Sequence, residues 1–453
     1  MTAGLKMTRE RTIQVAVLAP SLAGYIWIGY FTVRTDFTQL ILLYLALFGL
    51  YFFILYGKAL DSHFKIAIGA ALAFRLALLF MTPNLTDDHF RFIWDGLLVA
   101  SRHNPYLMLP SEFIHSLETV PGLTMSLYSH LNSPDFYSVY PPVCQFIFGL
   151  SAKLSGGSIF DNIILLRVFI LLAEFGTLTL LYKLARLLRY PPSVVFIYAF
   201  NPLVVVELTG NLHLEAIMVF FLLLAIYLLV RGRRIWSAVS FAMAIATKLV
   251  PIIFLPLLIK RLGWRRIFGY FALVGGTILL FFSPFLTVPA VTNFLSSVSL
   301  FFRVLIFNGS IYYVIRRIGY QTANYSLIAI SGYVLLGVSL SVIATIAIRE
   351  RDIGYKSLFS SMQFCLTVFL FLAPDVHPWY LATLLVLSVF TRYKYALVWS
   401  SMIVLTYAAY QTVPYSENLW LVAIEYLTVV GWLAYETLPR LAPWRRHQNL
   451  SPQ

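Results

Sequence analysis

The sequence predicts an all-α, polytopic transmembrane protein with about twelve spans plus one re-entrant or broken helix pair. Three observations carry this. Of the 453 residues, 60% are apolar and only 11% are charged, with a mean hydropathy of +0.81; a soluble domain has about 45–50% apolar and about 25% charged residues. Uncharged runs of about one membrane span recur along the chain. Lys and Arg collect in the short links between those runs. Together these exclude an ordinary soluble domain, a disordered chain and a coiled coil. Two cysteines, Cys144 and Cys365, are too few for a disulfide framework or a cysteine-rich metal site.

The basic stretch MTAGLKMTRERTIQ leads into an apolar run of full span length with no small-residue cleavage site after it. Residues 12–33 therefore read as a first span and not as a removed signal peptide. Further spans are predicted near 37–57, 66–82, 162–182, 190–210, 214–230, 267–288, 325–348, 357–375, 376–391, 395–414 and 418–437. The links hold Lys6, Arg9 and Arg11; Lys58 and Lys65; Lys183, Arg186 and Arg189; Arg231, Arg233 and Arg234; Lys260, Arg261, Arg265 and Arg266; Arg349, Arg351 and Lys356; Arg392 and Lys394; Arg440, Arg445 and Arg446. These are 23 of the 33 basic residues, so the net charge of +14 is an orientation signal that puts both termini in the cytoplasm. Scattered clusters on one membrane face do not make a nucleic-acid groove.

Segment 235–259 is flanked by basic clusters on both sides. About 25 residues cannot cross twice, and Lys248 and Pro251 sit in its middle. Two half-helices or a re-entrant hairpin are expected, since irregular backbone at membrane depth must face protein or water; a single span with reversed parity downstream is the rival. On the outer side, the loop from Pro83 to Tyr137 is acidic: Asp87, Asp88, Asp95, Glu112, Glu118 and Asp135 face only Arg91 and Arg102. A second outer loop, 289–324, holds Arg303, Asn308, Arg316 and Arg317. The expected organisation is one transmembrane domain: three spans in 1–82, an outer catalytic loop with juxtamembrane helices in 83–160, core spans in 161–288, the second outer loop, and C-terminal spans in 325–453.

Five segments carry candidate chemistry. In TDDHFRFIWDGLLVASRHNPY, Asp88, Arg91 and Asp95 share a helix face at i, i+3, i+7; the alternative is an N-cap with a solvated acidic face. In NPLVVVELTGNLHLEA, Glu207, Asn211, His213 and Glu215 are polar groups in an apolar setting, and intramembrane ionisable groups default to functional candidates, unless the two glutamates already lie in a wet loop. In ATKLVP, Lys248 either snorkels to the surface or reaches an anion. In PDVHPWYL, Asp375 and His377 stand beside Trp379, where a structural hydrogen-bonding role competes with a chemical one. The fifth is FNGSIYYVIRR. Arg167 and Glu174, within one span, suggest a buried structural pair. No P-loop, GxSxG, HExxH or CxxC pattern occurs.

The ordered set TDDHFRFIWDG, NPY, YPP, NPL, GNLHLEA, TKLVP, FNGSIYY and HPWYL resembles the GT-C superfamily of integral-membrane glycosyltransferases, over about residues 75–382. It is most similar to bacterial mannosyltransferases that use polyprenyl-phosphate sugars, with a looser likeness to the glycosylphosphatidylinositol mannosyltransferases. The resemblance implies a GT-C-like fold with a large first outer loop and a catalytic Asp there. Asp88-His89-Phe90-Arg91-Phe92 matches the D-x-x-R-aromatic pattern, which makes Asp88 the first choice and Asp87 the second. It implies a second acidic position at Glu215 or Glu207, and donor-phosphate contacts at Lys248 and His377. Asp-Asp-His departs from the members that carry DxD or Asp-Glu here. A divalent cation is possible and the metal site is unknown.

The expected function is transfer of a hexose, mannose favoured, from a polyprenyl-phosphate donor to a glycan or lipid-linked acceptor on the periplasmic or extracellular face of a bacterial inner membrane. The expected partners are that donor, that acceptor and membrane lipid. Asp88 would act as general base, and Lys248, Arg91, His377 or Arg303 would stabilise the departing phosphate. Trp94, Tyr140 and Trp379 are candidates to stack on sugar, with Asp95 and Asp375 in support. One base without a second positioned carboxylate suggests inversion. A lipid or sugar transporter or flippase, and a polysaccharide polymerase or ligase, are the alternatives.

Overall fold

The computed structural model describes residues 2–441 apart from 59, 117–118 and 323–324. Glu118, Arg445 and Arg446 lie outside the described residues. Among the described residues the regular structure is helical, with a single isolated bridge between Phe307 and Asp375. Among them seven helices are long and apolar enough to cross a membrane: Gln14–Phe31, Phe37–Gly57, Ile159–Leu187, Trp264–Phe285, Ile330–Arg349, Tyr355–Leu372 and Leu419–Leu438. A pair, Pro192–Ala199 and Val204–Gly210, bends by 62° and makes an eighth if it is one broken span.

Twelve spans were expected. Several predicted runs form helices too short for a hydrocarbon core of about 30 Å at about 1.5 Å per residue. Run 66–82 yields the 13-residue helix Phe64–Leu76. Run 214–230 yields the 16-residue helix Glu215–Val230. Runs 376–391 and 395–414 are each split into a short α-helix, Leu381–Ser388 and Tyr395–Met402, joined to tighter turns at Pro378–Tyr380 and Ile403–Gln411. Hydropathy counts apolar runs; it does not register where local hydrogen bonding or proline divides them. In Val204–Gly210 the ladder widens, with the Asn211 N–H bonding the Val206 carbonyl 2.9 Å away, a bulge frequent at functional sites.

The basic links at 183–189, 231–234, 260–266, 349–356 and 392–394 gather at one end of the bundle. Lys183 lies over the Tyr227 ring and Lys356 over the Tyr190 ring. The Tyr355 hydroxyl donates to the Leu229 carbonyl, and the Tyr190 hydroxyl to that of Phe390. Arg261 grips Glu350 at 2.6 Å through two nitrogens. Segment 235–259 starts and finishes at this end. Helix Arg234–Thr247 runs for 14 residues, about 21 Å at 1.5 Å per residue, and stops at Lys248, whose backbone is extended. The chain then returns through Val250–Leu257 to Arg261. The segment is thus broken at Lys248, between helix Arg234–Thr247 and the turns of Val250–Leu257.

The outer loop contains helices Asp88–Ala100 and Pro142–Leu154 packed together. The close approach requires Gly96, where a Cβ would lie 2.5 Å from the Phe148 carbonyl oxygen. Two charged networks brace the interior. Arg75 pairs with Glu174 at 2.8 Å, both fully buried, and Tyr198 donates to Glu174. Arg167 donates instead to the carbonyls of Leu79, Thr209 and Gly210. The expected Arg167–Glu174 pair is therefore replaced: seven positions along one helix put the two side chains on different neighbours.

Candidate active site

Asp88 begins the helix Asp88–Ala100, and its side chain remains 22% exposed. Oδ1 accepts a hydrogen bond from Asn132 Nδ2 at 2.7 Å, and the backbone N–H donates to Thr86 Oγ1. Oδ2 lies 3.9 Å from His213 Nε2. Burial raises the Asp88 pKa and the adjacent Asp87 adds to this, while the Asn132 bond and the positive charges of His377 and Lys248 pull against it. A carboxylate raised in this way is a stronger base. Asp87 turns elsewhere, to Arg34 at 2.5 Å. The two acids do not converge as a ligand pair. Among the described residues no three His, Cys, Asp or Glu side chains are grouped to hold a metal.

A column of aromatic rings stands beside Asp88. His213 stacks on Trp379 with centroids 3.7 Å apart and planes at 15°. Trp379 stacks on His377 at 4.4 Å and 5°, and His377 on Phe307 at 4.7 Å and 16°. His377 Nε2 is 3.2 Å from Asp375 Oδ1. Burial alone would lower the His377 pKa, but the charges of Asp375 and Asp88 and the Asp375 hydrogen bond outweigh it, and the net direction is upward. Lys248 pairs with Glu215 and lays its ammonium 4.1 Å from the centre of the Tyr380 ring. Tyr380 donates in turn to Asp375 Oδ2 at 3.3 Å. Asp88, Lys248 and His377 come from three distant segments, each remains partly exposed, and Asp88 feels both cations.

Residues 11–262 match the family model described as alpha-(1->6)-mannopyranosyltransferase, N-terminal domain. The chain belongs to this family. It is 23% identical over 332 residues to alpha-(1->6)-mannopyranosyltransferase A of Mycobacterium tuberculosis, covering 67% of this chain and 61% of the relative's length. The mannosyltransferase resemblance carried by the ordered motifs is thereby matched. The family segment contains Asp87, Asp88, His213, Glu215 and Lys248. His377 and Trp379 lie beyond it and reach the same place through the fold.

The other expected site residues of this family member have different surroundings. Arg91 pairs with Asp95 at 2.9 Å and donates to the carbonyls of Ser133 and Phe136, which staples the outer loop onto its helix. Asp95 is fully buried and also accepts from Ser138 and Gln145. Trp94 is fully buried against Phe113 and Tyr128. Arg303 is exposed at the end of helix Val288–Arg303. Glu207 accepts from Tyr44, Tyr407 and Asn211, deep in the bundle; its backbone carbonyl accepts from His213 Nδ1 at 2.8 Å. Tyr140 packs edge-on against Phe92 and Phe148.

Sequence reading missed Arg34, Asn132 and Tyr410, and gave no role to Tyr380 and Phe307, although both stand in segments singled out for chemistry. Arg34 had a usable signal: it stands alone between the first two spans, away from the basic clusters. It also lies 5.2 Å from the centre of the Tyr410 ring. Asn132 gave no local signal. Phe307 is placed by pairing, since its N–H meets the Pro374 carbonyl and its carbonyl accepts from Val376. At Gly309 a Cβ would lie 2.8 Å from the Pro374 oxygen, so this seam needs glycine.

Proposed function

We propose that this protein transfers a mannosyl group from a polyprenyl-phosphate donor to a hydroxyl of a mannoside-containing glycan or glycolipid. The observation that carries the reading is the meeting of Asp88 with Lys248 and His377 at the end of the bundle opposite the basic links. Family membership supports the sugar, and the name of the mycobacterial relative supports an α(1→6) link.

In the proposed step, the acceptor hydroxyl oxygen attacks the anomeric carbon while the bond from that carbon to the phosphate oxygen breaks. Asp88 takes the hydroxyl proton, a contribution of about 10²–10⁴-fold. The leaving polyprenyl phosphate takes the electron pair, and Lys248 and His377 offset its new charge in a site of low dielectric, where fixed charges act strongly. Displacement in one step inverts the anomeric centre, so an α product requires a β-linked donor. The apolar helices support a membrane setting suited to a donor with a lipid tail, and the basic links at the far end support a site on the non-cytosolic face.

Purified protein in detergent, given radiolabelled β-linked polyprenyl-phosphate mannose and octyl α-mannoside, is expected to yield an α(1→6) dimannoside. Label that stays on the lipid in detergent, and that crosses the membrane of vesicles holding the reconstituted protein without joining a sugar, would replace this reading with a carrier.

A further inference from the structure

His213 holds an unused hydrogen-bond acceptor in a fixed place. Its Nδ1 is 2.8 Å from the Glu207 carbonyl oxygen. A carbonyl only accepts, so Nδ1 carries the proton. Burial also disfavours the charged ring. Nε2 is then a bare lone pair; it is buried and has no hydrogen-bond partner among the described residues. Such an acceptor is costly to leave unmade. The Trp379 stack and the Glu207 bond together prevent the ring from turning away.

The position of this lone pair gives it a direction. Nε2 lies 3.9 Å from Asp88 Oδ2, too far for a direct bond. The His213 and His377 rings both lie nearly parallel to the Trp379 indole at centroid distances of 3.7 and 4.4 Å. Two rings cannot share one indole face at those distances without overlapping, so Trp379 is sandwiched between them. His377 is thus on one side of the indole and His213, beside Asp88, on the other. Its nearness to the proposed base, 3.9 Å from Asp88 Oδ2, with the indole between it and His377, places His213 with the nucleophile.

We infer that His213 Nε2 accepts a hydrogen bond from a second, non-attacking hydroxyl of the acceptor sugar and so orients the hydroxyl that Asp88 deprotonates. This rests on the proposed transfer reaction. It makes His213 a residue for acceptor specificity, distinct from the base and from the cations facing the phosphate. A site built to bond a hydroxyl discriminates against the analogue lacking it, because its own polar group is left unpaired.

The test uses octyl α-mannoside and its 2-, 3- and 4-deoxy analogues with wild type, His213→Phe and His213→Gln. Phe keeps a ring against Trp379 and removes the acceptor; Gln restores an acceptor oxygen. Wild type is expected to use one analogue about tenfold less efficiently in kcat/KM than the parent, the worth of one neutral hydrogen bond. His213→Phe should treat that analogue and the parent alike, with an unchanged KM for the lipid donor, and His213→Gln should recover part of the discrimination. Equal use of all analogues by wild type, or unaltered discrimination in His213→Phe, overturns the inference. The same analogues are titrated calorimetrically as ligands on Asp88→Asn protein with and without His213→Phe. A deoxy penalty there that vanishes with Phe supports the hydroxyl contact even if no transfer occurs, and a penalty that persists, or none at all, overturns it. Failure of the transfer reading is thus told apart from failure of this one.

Discussion

Arg34 and Asp87 form an ion pair at 2.5 Å, linking the first outward turn to the start of the outer loop. The consequence is a division of labour between adjacent acids. Asp87 is held as a tether, and Asp88 is left to face His213 and Asn132. Asp88→Asn should preserve the fold and reduce transfer by about 10²–10⁴-fold. Asp87→Asn removes only a pair whose side chains are about one-third exposed; it should cost at most about 1 kcal/mol of stability and leave turnover within a few-fold. Initial rates of both variants at saturating donor check this.

The pH profile follows from two opposed requirements. Asp88 must be ionised to take a proton, and its pKa is raised above the ordinary value of about 3.9. Activity is therefore lost as pH falls through that raised value, giving an acid limb displaced toward neutrality. His377 must be protonated to face the departing phosphate, and its pKa is raised above the ordinary value of about 6.5. That contribution is complete at low pH and is lost as pH rises through the raised value. Burial lowers the Lys248 pKa to about 7, so its contribution too is lost as pH rises. A bell-shaped rate profile is expected, and His377→Gln should alter the alkaline limb while sparing the acid one.

Lys248 sits at the break between Arg234–Thr247 and Val250–Leu257 with Glu215 and Tyr380 against it. Lys248→Met should lower kcat by at least tenfold through loss of a cation felt mainly as the leaving group charges. The double variant Lys248→Met with Glu215→Gln removes the stranded acid. It should restore stability, read by thermal unfolding in detergent, without restoring rate.

Arg91 and Asp95 form a buried pair that fastens the 133–136 backbone to its helix. Breaking such a pair by removing one partner costs about 3–5 kcal/mol. Asp95→Ala should therefore lower the unfolding temperature and expose the outer loop to protease, whereas Asp87→Asn should not. Limited proteolysis separates them.

The fold class was legible because apolar runs and basic links are local signals, as was the break at Lys248 between two basic clusters. The span count was less so: residues 376–391 and 395–414 are apolar throughout, yet Pro378 and the tight turns at Ile403–Gln411 divide them. For the site, Asp88, Lys248 and His377 were named from their motifs and stand together. Arg91 looked equally functional on the same helix face. Its commitment to Asp95 and two loop carbonyls depends on residues up to 45 positions away, which no local pattern records. Asn132 was invisible for the same reason: it matters through a partner brought in by the fold.

The central claim is spatial: Asp88 stands across the reacting carbon from Lys248 and His377. A cryo-electron microscopy structure with a non-transferable phosphonate analogue of polyprenyl-phosphate mannose and octyl α-mannoside tests it most directly. The account predicts the acceptor hydroxyl within about 3 Å of Asp88 and the phosphonate oxygens against Lys248 and His377. A phosphonate bound instead at exposed Arg303, or an acceptor hydroxyl out of reach of Asp88, would contradict it.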